Sequence, residues 1–260
     1  MKPKILIWDV ESSYIECRTF GVRLQNILPQ NITQDKHLFC VCYKWYGESK
    51  THSISILDDP KRFKKDHHDD YHVVKHMHGI LSQAHAHVAH YGDGFDMPLI
   101  QERFICHGLP PIPKIISLDT CKIAKKYFKF TSYKLDFIAQ KLGHIGKLVN
   151  PTNLWNKCFD GDEKALQRMV RYCKRDISAL CHIFERLMPY VKNNPLNAGL
   201  FHEGGENSPV CPNPTCGSHD LIKRGYEYTR VNKYQRYKCR VCGSWSNERT
   251  AVREGRVMLK

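Results

Sequence analysis

Four cysteines in two close pairs constrain the C-terminal fifth of this chain more than any other feature of the sequence. Cys211 and Cys216 lie in CPNPTC, Cys239 and Cys242 lie in CRVC, and a glycine follows each pair. This spacing is typical of two tight turns whose four thiolates bind one zinc ion. A segment this short cannot bury enough apolar surface to fold alone, so we expect the zinc to be structural.

The segments between the two cysteine pairs, LIKRGYEYTR and YQRYKC, alternate like a β-hairpin and make the tail similar to the zinc ribbon family. Residues 209 to 260 contain 11 Lys and Arg against 4 Asp and Glu, a formal charge of +7. Basic side chains among aromatic rings suit contacts with phosphates and bases, although some of the rings could instead fill the small core of the ribbon. The predicted nucleic-acid-binding residues are Lys223, Arg224, Arg230, Lys233, Arg236, Lys238 and Arg240.

The charge of the whole chain favours a polyanionic partner. Lys and Arg number 40 against 26 Asp and Glu, which gives +14. The start MKPKILIWDVESS is a poor signal peptide, because its apolar run is short and two carboxylates follow at once. No run approaches the roughly 18 apolar residues of a membrane span. We therefore expect a soluble, cytoplasmic protein without a membrane partner, whose other eight cysteines are reduced core thiols.

Hydrophobic patterning predicts a leading antiparallel meander followed mainly by helices. KILIWDVES, HLFCVCYKWYG and KTHSISIL read as strands, DDYHVVKHMHGILSQA reads as an amphipathic helix, and HAHVAHY returns to strand. Helical spacing then recurs in IISLDTCKIAKKYF, SYKLDFIAQKLG and the long segment from residue 163 to 191. This order favours an α/β fold, a mixed sheet flanked by helices. We predict a first domain over residues 1–192, a linker over 193–208 and a zinc ribbon over 209–260.

Three short acidic segments are candidates for chemistry. Asp9 and Glu11 follow an apolar run and, two residues apart on a strand, face the same side, where a cation would relieve their repulsion. Asp96 opens a helix after a Gly-rich turn, which is also a common place for a capping aspartate. Tyr172 and Asp176 are four apart on one face of a helix, where they could equally be a core tyrosine and a surface aspartate.

Together these segments resemble the three motifs of the DEDD superfamily of 3′-5′ exonucleases, which has an RNase H-like fold. The matching residues are DVE at 9–11, FD at 95–96 and YCKRD at 172–176, and the spacing of Tyr172 and Asp176 is that of the tyrosine subgroup. SLDTCKIAKKYFKFTSYKLDFIAQKLG and CYKWYG also look like stretches of these nucleases. The resemblance covers about residues 1–190, and the added ribbon is similar to uncharacterised RNase H-like nucleases of bacteriophages and bacteria.

The resemblance implies a two-metal 3′-5′ exonuclease. Asp9, Glu11, Asp96 and Asp176 would then hold two Mg²⁺ or Mn²⁺ ions, and Tyr172 would orient the attacking water. The implied substrate is nucleic acid, with DNA favoured over RNA. The zinc ribbon would help to hold the substrate and could also dock a replication or repair protein.

Two other functions stay open at this point. The family's HN-x-x-x-FD pattern has Asn where this chain has Tyr91, which favours a nucleic-acid-binding protein whose nuclease site has decayed, although the acidic set is complete. A structure-specific endonuclease of RNase H-like fold would use the same metals. We assign Asp119 a structural or supporting role. The histidine-rich segment 67–90 could form a second metal site, but ordinary helix and sheet histidines are the preferred interpretation.

Overall fold

The structure of the protein is a computed structural model that describes residues 3–21, 23, 26–145, 151–192, 194–201 and 209–252. In chain order its strands and helices are β1 (Ile5–Ser12), β2 (Glu16–Cys17), β3 (Ile32–Gln34), β4 (Leu38–Trp45), β5 (His52–Ser55), α1 (Pro60–Lys65), α2 (Tyr71–Leu81), β6 (Ala86–Ala89), α3 (Asp96–Cys106), β7 (Ile116–Asp119), α4 (Thr120–Tyr127), α5 (Leu135–Lys141), α6 (Leu154–Phe159), α7 (Glu163–Leu187), β8 (Leu221–Tyr228), β9 (Lys233–Cys239) and β10 (Trp245–Asn247).

Strand β1 lies in the middle of a five-stranded sheet with the order β5-β4-β1-β6-β7. It pairs antiparallel with β4, which pairs antiparallel with β5, so the predicted meander is confirmed. On its other side β1 pairs parallel with β6, and β6 pairs parallel with β7. Residues 5–8 of β1 are buried, because a central strand with helices packed on the sheet needs apolar side chains on both faces.

Helix α7 is the longest helix of the described residues and packs against β1 and β4. It begins after Asp162, whose side chain accepts a hydrogen bond from the amide of Ala165. Its apolar stripe, which includes Met169, Ile177 and Leu180, is fully buried. The predicted mixed sheet flanked by helices is therefore confirmed. No helix of the described ranges is both long and apolar enough to cross a membrane.

The segment IISLDTCKIAKKYF was predicted wrongly as helical throughout. Its first part is strand β7, in which Ile116 pairs with Ala86 of β6. The helix begins only at Thr120, because the Asp119 side chain accepts hydrogen bonds from the amides of Cys121 and Lys122 and so caps α4. The prediction extended the helix too far toward the N-terminus, because residues 116–119 form their backbone hydrogen bonds with β6 and not within a helix.

The C-terminal residues 209–252, which we call the cysteine ribbon, form a three-stranded sheet with the order β10-β9-β8. The predicted hairpin is confirmed as β8 and β9, with a register shift between Lys223 and Tyr226. The segment before it, predicted as a linker, is partly packed: Leu196 is buried, and the Ala198 amide donates to the carbonyl of Pro212. Residues 193 and 202–208 lie outside the described residues, and the three-part division of the chain stays a prediction.

Candidate metal-dependent active site

Strand β1 carries two carboxylates beyond the point where its parallel neighbour ends. Asp9 lies opposite Cys42 and Glu11 opposite Cys40 in β4, whereas the pairing with β6 stops at Ile7. A register shift follows Glu11 directly. The apolar run before Asp9 anchors the strand in the core, so both carboxylates are fixed at the end of a buried, central strand.

Helix α7 brings a third carboxylate to this strand end. Carboxylate oxygens of Asp9, Glu11 and Asp176 lie within 4.8 Å of one another, and we call these three residues the acidic cluster. Asp176 is buried on the face of α7 that packs against the sheet. Three carboxylates at this separation could share a metal ion, since hard oxygen ligands suit Mg²⁺ or Mn²⁺ better than zinc.

Asp96, the fourth predicted ligand, lies beside the acidic cluster and not within it. It is the first residue of α3, and its Oδ1 accepts a hydrogen bond from the amide of Val10 at 3.3 Å. The residue at the N-cap position is Phe95, which has no capping side-chain bond. The Asp96 carboxylate therefore reaches β1 between the two carboxylates of that strand, and it also accepts a hydrogen bond from its own backbone amide at the start of α3.

The closeness and burial of these carboxylates are reflected in raised pKa values at Asp9 and Asp96. Burial raises the pKa of Asp9 well above its ordinary value, and the charges of Asp96, Glu11 and Asp176 raise it further. Burial also raises the pKa of Asp96 to about 7, although hydrogen bonds from its own backbone amide and from the amide of Val10 work in the opposite direction. Such crowding of buried acids is unfavourable without a cation, so the donor set fits a divalent metal ion.

Tyr172 lies one turn before Asp176 and contacts the same site. Its ring is buried and packs edge-on against Trp155, with ring centroids 5.9 Å apart. Burial raises the pKa of its phenol, and the charges of Asp176 and Glu11 add to that effect. The phenol therefore keeps its proton at neutral pH and can act as a hydrogen-bond donor, not as a base.

Two contacts of the acidic cluster were missed by sequence reasoning. The Cys173 thiol donates to the Asp9 carbonyl oxygen at 3.5 Å and to its Oδ2 at 3.6 Å, which ties α7 to β1. Helix α6 supplies Trp155 under the ring of Tyr172. Cys173 follows Tyr172 directly, so its position next to a motif residue was the available signal. Nothing in the local pattern around Trp155 indicated that α6 would lie there.

The loop between β6 and α3 is fastened to the end of β7. Asp119 accepts hydrogen bonds from the amides of Tyr91 at 3.1 Å and Asp93 at 3.2 Å, in addition to its capping of α4. The side chain of Asp93 in turn pairs with Lys122 at 2.7 Å. Asp119 therefore has the structural role that was expected for it, and it fixes the loop that ends at Asp96.

Among the described residues, the groups of three or more side chains that could share a metal ion are the acidic cluster and the four cysteines, and neither includes a histidine of the histidine-rich segment. Its histidines make ordinary structural contacts. His76 hydrogen-bonds the hydroxyl of Tyr43, and His87 lies against the indole nitrogen of Trp8. These contacts agree with the interpretation as ordinary helix and sheet histidines, which stays a prediction.

The four cysteines of the ribbon converge on one point. Their sulfur atoms lie within 4.8 Å of one another, with Cys211 and Cys242 at 3.6 Å and Cys216 and Cys239 at 3.8 Å. The glycine after each pair has a left-handed φ, 60° at residue 217 and 77° at residue 243, and ends a tight turn. All twelve cysteines of the chain are free of disulfides. This arrangement is compatible with a tetrahedral zinc site.

The seven basic residues predicted to bind nucleic acid differ in exposure. Five are exposed: Lys223, Arg224, Arg230, Lys238 and Arg240. Lys233 and Arg236 are half-buried and lie over rings, Lys233 at 4.1 Å from the centroid of Tyr226 and Arg236 at 5.0 Å from that of Trp245. Tyr237 is buried and donates to Glu248, so at least one ring serves the small core.

Comparison with known families agrees with this geometry. The sequence model of a family described as the RNase H superfamily matches residues 34–188, more than half of the chain. The chain therefore belongs to the RNase H superfamily. It has a nuclease fold, which implies a nucleic acid substrate, and its acidic cluster is a candidate metal site of that fold. The match includes Asp96, Tyr172 and Asp176 but begins after β1. No curated protein matches the chain.

Proposed function

We propose that this protein is a metal-dependent 3′-5′ exonuclease that acts on DNA in preference to RNA. The observation that carries the proposal is the acidic cluster at the end of the central strand of an RNase H-like sheet, in a chain whose net charge is +14. A basic protein that gathers buried and half-buried carboxylates at one point has a reason to hold cations there. The 3′-5′ direction and the preference for DNA come from the resemblance of the three motifs.

In this proposal the carboxylates of the site are metal ligands and the tyrosine is a hydrogen-bond donor. Asp9, Glu11 and Asp176 would hold Mg²⁺ or Mn²⁺, with Asp96 completing the set from the adjacent helix. Two such ions, when bound, stabilise the charge that develops on the attacking and leaving oxygens of a phosphodiester. Tyr172, which keeps its phenolic proton, would orient the attacking water or a phosphate oxygen by a hydrogen bond.

The cysteine ribbon would support this activity by holding the substrate. Its four cysteines would bind a structural zinc ion, and its exposed lysines and arginines would contact phosphates. The same surface could dock a replication or repair protein. We also retain the expected cytoplasmic location, in which the thiols stay reduced.

The test uses end-labelled linear and circular DNA and RNA with Mg²⁺ or Mn²⁺. The wild type should shorten linear DNA from its 3′ end. Asp9→Asn and Asp176→Asn should each lose more than about a hundred-fold of activity, since loss of even an indirect metal contact costs 10- to 100-fold. Glu102→Gln, which removes a carboxylate paired with Lys36 outside the site, is the matched control.

Each contrary result has a definite meaning. Cleavage of circular DNA would favour a structure-specific endonuclease, because a circle has no end. A wild type that binds nucleic acid but cleaves no substrate with either metal would be a decayed nuclease. Full activity in Asp9→Asn would show that the acidic cluster is not the catalytic site.

A further inference from the structure

Tyr91 holds a backbone conformation that a tyrosine rarely adopts. Its φ is 66°, and in the described part of the chain no other non-glycine residue has a positive φ. Bulky residues in this region are strained, and such strain persists where the surroundings impose it. Here Asp119 binds the Tyr91 amide, and the Tyr91 carbonyl accepts from the amides of Gly94 and Phe95, both at 3.0 Å.

The loop also makes room for the ring of Tyr91. A Cβ atom on Gly94 would lie 2.6 Å from Cζ of that ring and 2.8 Å from Cε2, so the ring occupies the place of a side chain at residue 94. The residue is nevertheless 53% exposed. The ring of Tyr91 thus packs against the backbone of Gly94 and remains accessible to solvent, so it buries little apolar surface in the core.

The surroundings of the exposed ring are basic. Lys125 Nζ lies 5.8 Å from the centroid of Tyr91 and 5.9 Å from that of Tyr133. Lys125 and Lys126 are exposed on α4, whereas Lys122, although its side chain is 63% exposed, is paired with Asp93 of the same loop. An exposed ring among lysines is the composition on which single-stranded nucleic acids bind, by base stacking and phosphate contact.

The ring is also close in the chain to the acidic cluster. The turn that begins at Tyr91 closes at Phe95, and the next residue is Asp96, whose carboxylate binds the Val10 amide of β1. Phe95 is itself 47% exposed. Tyr91 is therefore five residues along the chain from Asp96, at the other end of the same loop.

We propose that Tyr91 is a stacking platform for a nucleobase near the reactive end of a single-stranded nucleic acid. This inference rests on the proposed function and specifies its substrate class. A ring can stack only on a base whose face is free, so the platform selects an unpaired end over a closed duplex. The departure from the family's Asn at this position is then a gain of a binding contact rather than a sign of decay.

The test measures binding of fluorescent single-stranded oligonucleotides to the full chain in the absence of divalent metals. Tyr91→Phe keeps the ring and should bind like the wild type. Tyr91→Asn tolerates the left-handed backbone but removes the ring, and should bind about ten-fold more weakly, within the range of base stacking. An abasic nucleotide, placed in turn at each of the last three positions, should weaken wild-type binding at one position and leave Tyr91→Asn unaffected there.

Gly94→Ala gives an independent test through the same ring. The added Cβ must displace the Tyr91 ring, so binding should fall nearly as far as in Tyr91→Asn, and the double variant should be no weaker than Tyr91→Asn alone. Equal binding by wild type, Tyr91→Phe and Tyr91→Asn would overturn the platform. So would a loss in Tyr91→Asn that no abasic position reproduces in the wild type, which would indicate a structural role.

The proposed function can fail separately from this inference. Absence of cleavage by the wild type concerns the metal site, whereas the binding measurements need no cleavage. If the exonuclease activity is present, Tyr91→Asn should raise KM for single-stranded ends more than it lowers kcat. A fall in kcat alone would count against the platform.

Discussion

The acidic cluster and the cysteine ribbon are both candidate metal sites, but they relate to the fold in opposite ways. The acidic cluster lies at the end of a strand whose residues 5–8 are buried, so a large core holds its carboxylates together against their repulsion. In the cysteine ribbon, β8 has no buried residue and β9 has only Tyr237 and Cys239. In the first region the fold holds the candidate metal site, and in the second we expect the metal to hold the fold.

This contrast explains why different ligands are used. Carboxylates attached to a rigid sheet and helix can leave part of a hard cation open to substrate, which suits catalysis. Four thiolates close the coordination sphere of zinc completely, which suits a structural role. The ribbon sheet can then be thin and carry its charged side chains outward.

The largest expected effect is the unfolding of one region without the other when a single thiol of the cysteine ribbon is removed. Cys239→Ser should unfold the cysteine ribbon, because structural zinc sites contribute on the order of 10 kcal/mol to folding. The five-stranded sheet should stay folded. Amide hydrogen exchange should show lost protection in β8 and β9 and retained protection in β1 and β4. Cys106→Ser, at an exposed cysteine outside both sites, is the control. Persistent protection of the β9 amides in zinc-free Cys239→Ser would contradict the expectation that the cysteine ribbon needs a metal ion to fold.

The second-largest expected effect concerns the buried charge of Asp96, which should destabilise the folded protein at high pH when no metal is bound. Because the pKa of Asp96 is raised from 3.8 to about 7 on folding, the folded state is penalised by a buried charge above pH 7. The penalty disappears as the pH falls through 7 toward 4, where the folded carboxyl is protonated. Asp96→Asn, which keeps an acceptor for the Val10 amide, should therefore be more stable than the wild type at pH 8 in a chelator, by on the order of a few kcal/mol.

Urea unfolding at pH 8 and pH 4 measures this difference. The gain should be nearly absent at pH 4, and Glu102→Gln should show no comparable gain at either pH. A variant that is less stable than the wild type at pH 8, or equally stabilised at both values, would mean that Asp96 is not a destabilising buried charge. Added Mg²⁺ should stabilise the wild type more than Asp96→Asn.

The smallest effect tests the surface of the ribbon. If Arg224 and Arg230 contact phosphates, the double change to Gln should reduce the slope of log K against log salt by about 2 and weaken binding modestly. Both side chains are exposed, so the fold should be unaffected. Lys64→Gln with Lys65→Gln removes the same charge from exposed positions of α1 and is the control. Equal slopes for the two double variants would indicate that only the overall charge matters.

Local patterns in the sequence predicted much of this molecule. The strands around Asp9 and Cys42, helix α7 and the hairpin of the ribbon follow from alternation and helical spacing, which depend on near neighbours in the chain. The convergence of the four cysteines was also predictable, since both pairs flank one hairpin. Strand β7 was not, because its hydrogen bonds come from β6, thirty residues away, and not from its own pattern.

The sequence by itself determined the candidate residues: two carboxylates after an apolar strand, Tyr172 and Asp176 on one helix, and four thiols. Only the tertiary structure decided how they meet. The pairing of β1 with β4 and the packing of α7 bring Asp9, Glu11 and Asp176 together, and leave Asp96 beside them on the Val10 amide. The φ of Tyr91 likewise depends on Asp119, a residue of another strand. Short-range geometry fixes periodicity, whereas contacts between distant segments depend on register and packing.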